Sequence, residues 1–290
     1  MPETATKIAA DTTVGAVHLT VADLDRSISY YENAIGLRVQ SREGAVARLG
    51  ADGGEELLVL YEEPGAQPVR GHTGLFHFAL LLPDRHALAQ WLIHAAQDRI
   101  PLSGMSDHLV SEAIYLRDPD WHGIEIYRDR PRSDWPGDGH GGIVMDTLPL
   151  DTDSLLGELD DPSAAGAYDG MPGATTMGHV HLHVADIADS ERFYRDVMGF
   201  DVMAHMPEAT FLSAGGYHHH LGANVWAGRG ASPPPPGSAA LRHATVLLPS
   251  ADERDRVAGR IADSGQEPEA REDGVLVRDP AGNALLLRTA

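Results

Sequence analysis

The chain has 290 residues, 42% of them apolar and 22% charged, so it can bury one large core or two ordinary ones. Its 43 acidic and 22 basic residues give a net charge of −21, which argues against a nucleic-acid partner and against an anionic membrane surface. The absence of cysteine excludes disulfides, zinc–thiolate sites, iron–sulfur clusters and a cysteine nucleophile, and leaves 16 histidines and the acids as candidate metal ligands.

Residues 1–13, MPETATKIAADTT, form a polar N-terminal tail without the apolar core of a signal peptide. The longest apolar stretch, around Leu75 to Leu82, is too short to span a membrane. We therefore expect a cytoplasmic protein without a membrane partner.

The first predicted unit opens with a short strand, Ala16 to Val21, followed by an amphipathic helix that Asp23 or Asp25 can cap. Gly36 suits the position after this helix, where φ is positive. Two alternating strands follow, at 45–49 and 56–61.

The second predicted unit repeats this order: a strand at 76–82, a helix at 85–96, a strand at 113–116, a turn at 118–123 and a strand at 124–127. The linker that follows, residues 131–176, is rich in Gly, Pro and Asp, and one helical turn is predicted within it at 154–159.

The second half of the chain repeats the first. Three pairs of matching residues show this at near-constant offsets of 163, 166 and 161: His18 with His181, His77 with His243, and Asp118 with Asp279. The sequence thus predicts an α+β fold with four βαβββ modules. Two modules would form a cupped, incomplete barrel-like sheet in each of two domains, residues 14–130 and 177–290.

Three ionisable residues, His18, His77 and Glu125, are each predicted in the middle of an apolar strand. Burying them is costly unless a partner compensates them. Two imidazoles and one carboxylate on one face form the facial triad typical of non-haem Fe(II) oxygenases. The alternative is two core histidines bonded to backbone and a glutamate paired with an arginine.

The run from His108 to Glu125, HLVSEAIYLRDPDWHGIE, resembles the signature of type I extradiol dioxygenases of the catechol 2,3-dioxygenase kind. These enzymes belong to the vicinal-oxygen-chelate superfamily (glyoxalase, bleomycin resistance and dioxygenase proteins), which is built from paired βαβββ modules. The resemblance covers nearly the whole chain outside the tail and linker.

This resemblance implies a ring-cleaving dioxygenase whose substrates are a catechol-type aromatic diol and O2. Glu125, His18 and His77 would be the metal ligands, with Fe(2+) as the expected ion and Mn(2+), Zn(2+) or Ni(2+) as alternatives. Tyr115 and His108 would hydrogen-bond the substrate oxygens, as suitable neutral donors. Homo-oligomers are possible, since members of the superfamily often pair.

The acid–base histidine that such enzymes usually carry, about fifteen residues before the second histidine ligand, is not found; that region holds Tyr61, Glu62 and Glu63. In the second half, Leu286 and Leu276 stand where the first half has Glu125 and Tyr115, which predicts a degenerate metal site there.

The run of histidines near the end of the third module leaves one question open. His218 or His220 could join His181 and His243 in a second, three-histidine site, although a packing role for this run is the alternative.

Two other functions fit the same scaffold. One is a glyoxalase-like metal-dependent lyase or isomerase. The other is a metal-free protein that binds an aromatic drug and confers resistance.

Overall fold

The computed structural model describes residues 7–160 and 168–290, so residues 1–6 of the predicted tail and 161–167 of the predicted linker lie outside the described residues. The four predicted βαβββ modules are confirmed, and they curl into two large sheets. None of the helices in the described part of the chain is long and apolar enough to cross a membrane.

The modules follow one another along the chain and share the same order of elements. Module 1 contains β1 (Thr13–Val21), α1 (Leu24–Tyr30) with a π-helical extension (Tyr31–Ile35), β2 (Arg38–Glu43), β3 (Val46–Gly50) and β4 (Glu56–Glu62). After a short strand, β5 (Gln67–Pro68), module 2 contains β6 (Gly74–Leu81), α2 (Arg85–Gln97), β7 (Leu102–Asp107), β8 (Ser111–Arg117) and β9 (Gly123–Asp129).

The linker holds a 3-10 turn (Arg132–Asp134), β10 (Leu148–Pro149) and α3 (Thr152–Leu156), close to the predicted helical turn. Module 3 contains β11 (Thr176–His183), α4 (Ile187–Glu191) with a π-helical extension (Arg192–Met198), β12 (Asp201–Met206), β13 (Ala209–Ser213) and β14 (Leu221–Asn224). After β15 (Ser238–Ala239), module 4 contains β16 (Leu241–Leu248), α5 (Ala251–Asp263), β17 (Glu269–Arg271), β18 (Gly274–Arg278) and β19 (Ala284–Thr289).

The same local signal starts the helix of every module. A side chain just before the helix accepts a hydrogen bond from the backbone N–H three residues later, which satisfies one of the free N–H groups of the first turn. The four capping residues are Asp23, Asp84, Asp186 and Ser250. In module 1 the cap is therefore Asp23 and not Asp25, and Gly36 ends the π-helical turn with a φ of 91°, as predicted.

The two sheets pair modules across the halves of the sequence. One sheet has the order β17-β18-β19-β16-β1-β4-β3-β2 and joins module 4 to module 1. The other has the order β10-β7-β8-β9-β6-β11-β14-β13-β12 and joins module 2 to module 3. The arrangement thus differs from the expectation that residues 14–130 and 177–290 each close a sheet of their own, because the edge of β6 is taken by β11 and that of β1 by β16.

Two buried tyrosines still connect the modules within each half. Tyr31 in the π-helical turn of module 1 donates to Asp118 Oδ2 at 2.8 Å, in the turn before β9. Tyr194 in module 3 makes the same 2.8 Å bond to Asp279, before β19. The Asp-Pro turns that the sequence repeats therefore brace the fold, since each aspartate also accepts backbone N–H groups of its own turn.

A buried ion-pair network anchors β8 beside the cavity described below. Glu112, only 2% exposed, accepts from Arg85 Nε at 2.9 Å and from Arg128 Nε at 2.7 Å, with Arg130 at 3.3 Å. Burial alone would raise the pKa of the Glu112 carboxyl, but these guanidinium groups lower it below its usual range. Removing the carboxylate would leave the buried Arg128 without a counter-charge, whereas Arg85 and Arg130 keep Glu158 and Asp107.

We predict that Glu112→Gln lowers the free energy of unfolding by about 3 kcal/mol, because a buried pair broken on one side is strongly destabilising. The measurement is the urea midpoint at constant m. A matched control is Asp255→Asn, which breaks the exposed pair with Arg254 and should change stability by about 0.5 kcal/mol or less. Equal losses in the two variants would contradict the role of the Glu112 network.

Candidate metal centre and cavity

Three side chains converge on one face of the sheet formed by modules 2 and 3. Glu125 on β9 and His179 on β11 are both paired with Ala79 of β6, one on each side of it. His77 lies two residues earlier on β6 and so points to the same face. Strand register alone therefore brings a carboxylate and two imidazoles together.

The distances fit a shared cation. Oε2 of Glu125 lies 3.0 Å from His77 Nε2 and 3.1 Å from His179 Nε2, and all three residues are buried. The contact of His77 Nε2 with Glu125 lacks hydrogen-bond geometry, so this buried nitrogen has no hydrogen-bond partner. Two imidazole nitrogens and one carboxylate are a donor set for a divalent transition metal, so these residues fit a metal ion.

Electrostatics favour the ligand forms of these groups. Burial alone would raise the pKa of Glu125, but His179 and His77 hold it well below its usual range. Burial lowers the pKa of His179 to about 4, although Glu125 opposes that shift. A carboxylate and a neutral imidazole, the forms that bind metal, are therefore present at neutral pH.

The structure does not bring His18, predicted as the third ligand, to this group. His18 lies on β1 in the other sheet, opposite His243 of β16, with the two rings stacked at 3.9 Å. The reason is the pairing of modules across the halves. His179, from the second half of the chain, stands where His18 was expected.

Sequence reasoning missed His179 because it considered only the histidine that both repeats share, His18 in the first and His181 in the second. The segment GHVHLH carries His179 and His181 on one strand face, whereas the first repeat has Ala16 in the place of His179. His181 is the counterpart of His18, and it lies opposite His77 with the ring centroids 5.1 Å apart. An extra histidine two residues before the repeated one was the available signal.

Tyr115 and His108 lie beside the three converging residues. Tyr115 on β8 is directly opposite Glu125 on β9, and its hydroxyl is 2.7 Å from His108 Nε2. His108 Nδ1 is 2.7 Å from the carbonyl of Asp146, which can only accept, so Nδ1 carries the hydrogen. In the neutral ring Nε2 then accepts, and Tyr115 donates to it. Burial and the Glu125 charge raise the pKa of Tyr115 well above its usual value, so the phenol stays protonated.

A cavity of about 260 Å³ opens onto these groups. Its lining includes His77, Glu125, Tyr115 and His108, together with His181 and His219. The remaining wall is largely apolar and includes Phe76, Val110, Met145, Met206, Phe211 and Trp226. The cavity thus combines a polar floor with walls that suit an aromatic ring.

The histidine run forms a buried relay that ends at this cavity. Asp129 Oδ1 lies 2.8 Å from His218 Nε2, and His218 Nδ1 lies 2.8 Å from His219 Nδ1. If Asp129 accepts from His218 Nε2, the neutral His218 ring accepts at Nδ1 from His219. His219 then has its Nε2 free to accept a proton from a group in the cavity.

The run does not form the second metal site considered from sequence. His220 accepts a backbone hydrogen bond from Ala214, and His218 is engaged as described above. His243, which that site would need, lies in the other sheet. The segment 61–63, where an acid–base histidine was expected, holds none, whereas the His219 imidazole reaches the cavity from module 3.

We call the cavity in the sheet of modules 2 and 3 the first cup. The sheet of modules 4 and 1 forms a corresponding second cup, which lacks this donor set. Leu286 occupies the strand position of Glu125, since it pairs with Thr245 as Glu125 pairs with Ala79. Leu276 lies opposite Leu286 and therefore occupies the position of Tyr115. These registers place apolar side chains where the first cup has its carboxylate and phenol. The degenerate site predicted for the second half thus lies between the halves, with His18 and His243.

Comparison with known proteins places these features in a family. The chain matches the family model of the Glyoxalase/Bleomycin resistance protein/Dioxygenase superfamily at residues 13–126 and 176–287. It is 44% identical over 285 residues to a catechol-2,3-dioxygenase of Bacillus subtilis (strain 168), covering 97% of this chain and 98% of that protein.

Two solved structures share the fold at low identity. A putative dioxygenase from Bacillus subtilis aligns with a TM-score of 0.66 at 13% identity, covering 98% of this chain and 86% of that one. Glyoxalase I from Zea mays aligns with a TM-score of 0.58 at 15% identity, covering 96% and 92%. These likenesses concern the fold alone.

We predict that Glu125→Gln abolishes tight metal binding, because an amide cannot supply the anionic ligand that offsets the charge of the ion. Metal content of anaerobically purified protein, measured by inductively coupled plasma mass spectrometry, should fall from about one ion per chain to near zero. The control Glu63→Gln, in the second cup, should keep its metal. Full metal content in Glu125→Gln would refute this site.

Proposed function

Because the chain belongs to the Glyoxalase/Bleomycin resistance protein/Dioxygenase superfamily, we propose that it is a metal-dependent extradiol dioxygenase that cleaves a catechol-type ring with O2. The observation that carries the proposal is the cluster of His77, His179 and Glu125, two members of which line an aromatic-walled cavity together with the Tyr115 phenol and the His219 imidazole. The near-full-length identity to a catechol-2,3-dioxygenase supports the same reaction.

His77, His179 and Glu125 would hold the metal, and Fe(II) is the ion we propose. A facial set of two histidines and one carboxylate leaves coordination positions open, as in non-haem Fe(II) oxygenases. When bound, the ion would act as a Lewis acid toward both oxygens of a diol and would bring dioxygen next to the ring.

The cavity favours a substrate with a single ring. An enclosed apolar cavity of roughly 150 Å³ holds one benzene molecule, so a volume of about 260 Å³ has room for one substituted ring and a diatomic gas. Phe76 and Phe211 supply aromatic surface to this lining, which also includes Trp226, a residue that is 49% exposed. We infer a monocyclic catechol.

His219 is the proposed base for the diol. A diol that binds a metal ion through both oxygens must lose at least one hydroxyl proton. His219 Nε2 is the acceptor that the relay leaves free. Burial holds the pKa of His219 well below its usual value, so the imidazole is neutral before the substrate arrives. The Nδ1 proton can then shift toward His218 and Asp129, which spreads the new charge.

Tyr115 is the proposed hydrogen-bond donor to the substrate. Its protonated phenol lies next to the carboxylate ligand, and His108 fixes its orientation. A phenol in this position can turn its hydrogen toward a substrate oxygen as negative charge develops there. The pair thus positions the diol and stabilises its anion.

The direct test is oxygen consumption by the Fe(II)-loaded protein with catechol and its methyl derivatives. We expect oxygen uptake coupled to a yellow semialdehyde product. Resorcinol, which has the same atoms but no neighbouring hydroxyls, is the matched control and should consume none.

The two alternatives predict different results in the same assay. No oxygen uptake with any catechol, together with isomerisation of a hemithioacetal, would replace this proposal with a glyoxalase-like reaction. Catechol binding without bound metal or oxygen uptake would favour a ligand-binding protein.

We predict that His219→Gln lowers kcat for catechol by roughly 10²- to 10⁴-fold with its metal content unchanged, because the variant lacks a general base. The loss should be smaller with 4-nitrocatechol, whose more acidic hydroxyl ionises without help. His205→Gln, which changes an exposed histidine paired with Glu191, is the control and should turn over normally. An equal loss with both substrates would argue against His219 as the base.

A further inference from the structure

The second cup, between modules 4 and 1, retains a cavity although it lacks the metal donor set. The cavity measures about 540 Å³ and opens between β1, β16 and β18. His18 and His243 remain, but Leu286 replaces the carboxylate ligand and Ala16 stands in the sequence position of His179. Because the cavity lacks the metal ligands but keeps its volume, its remaining lining determines what it can bind.

The lining of this cavity is rich in cations, in a protein with a net charge of −21. Two acidic residues, Glu63 and Asp273, also line it. Against them stand four arginines from four different strands: Arg48, Arg242, Arg271 and Arg278. Because four arginines face two acids in this lining, the cup favours an anion over a cation.

Not all of these arginines are neutralised within the protein. Arg48 pairs with Glu56 at 2.7 Å and Arg271 with Glu269 at 2.8 Å. Arg242 has no carboxylate within 4.0 Å among residues 7–160 and 168–290, and its guanidinium lies 4.4 Å from the centre of the Tyr61 ring. A guanidinium over an aromatic ring can still offer its N–H groups to a carboxylate.

Beside the charged groups, the lining of the cup includes flat rings and two leucines. The stacked rings of His18 and His243 lie at its base, and Tyr61 bonds His18 Nδ1 at 3.1 Å. Leu276 and Leu286 complete the wall. The Nε2 atoms of both histidines are buried without a hydrogen-bond partner. Such atoms are costly unless a ligand reaches them.

We propose that this second cup binds a small planar organic acid, with its carboxylate on Arg242 and its flat body between the leucines and the histidine pair. Inorganic anions lack an apolar body that Tyr61, Leu276 and Leu286 could cover, and metal cations are repelled by the arginines. The inference does not depend on the reaction proposed for the first cup.

The test is isothermal titration calorimetry of the intact, metal-loaded protein with benzoate. We expect binding that weakens roughly tenfold or more in Arg242→Gln, since the variant loses a charge-assisted pair. Arg192→Gln, an exposed arginine on the π-helical extension of α4, is the control and should bind as the unmodified protein does.

Three further titrations locate the ligand and define its chemistry. Leu276→Trp, which places an indole in the cup, should weaken binding strongly, while an unchanged circular dichroism spectrum reports that the variant is folded. Benzamide, neutral but of the same shape, and inorganic phosphate, charged but without a ring, should both bind much more weakly than benzoate. Benzoate affinity that is unchanged in Arg242→Gln, or phosphate affinity equal to that of benzoate, would overturn the proposal.

Discussion

The antiparallel pairing of β6 with β11 is the constraint on which the candidate site depends. It joins module 2 to module 3 and sets His77 opposite His181 and Ala79 opposite His179. Because side chains alternate along a strand, a slip of one residue would turn His179 to the other face and separate it from Glu125. The donor set therefore exists only when both halves of the chain fold against each other.

Duplication produced two cups with one backbone plan and different chemistry. In each sheet the two central strands place one histidine opposite another: His18 opposite His243, and His77 opposite His181. The last strands of modules 2 and 4, β9 and β19, also pair with the same register. The first cup places a carboxylate and an extra imidazole at these positions. The second cup places leucine and alanine there and surrounds its mouth with arginines. Function thus differs through a few side chains on a shared scaffold.

The fold and part of the site follow from sequence, because they rest on local signals. Strand alternation and helix caps predict the βαβββ modules, and the run that ends at Glu125 places Tyr115 opposite it across a turn. The third candidate ligand, His179, was missed because it depends on which modules share a sheet. That choice is made by long-range strand pairing, on which the repeat pattern carries no information.

His219 was missed for a related reason. The role proposed for it depends on a buried chain of hydrogen bonds from Asp129 through His218, and these two residues are 89 positions apart in sequence. A run of adjacent histidines does not reveal which one has a free nitrogen. Only the packed structure shows that His219 lines the same cavity as His77 and Glu125.

The most direct test of a site shared between the halves is the metal content of His179→Ala compared with that of His18→Ala, both purified without oxygen. The structure predicts that His179→Ala loses its metal and that His18→Ala retains about one ion per chain. Retention in His179→Ala with loss in His18→Ala would place the site within the first half and contradict the account.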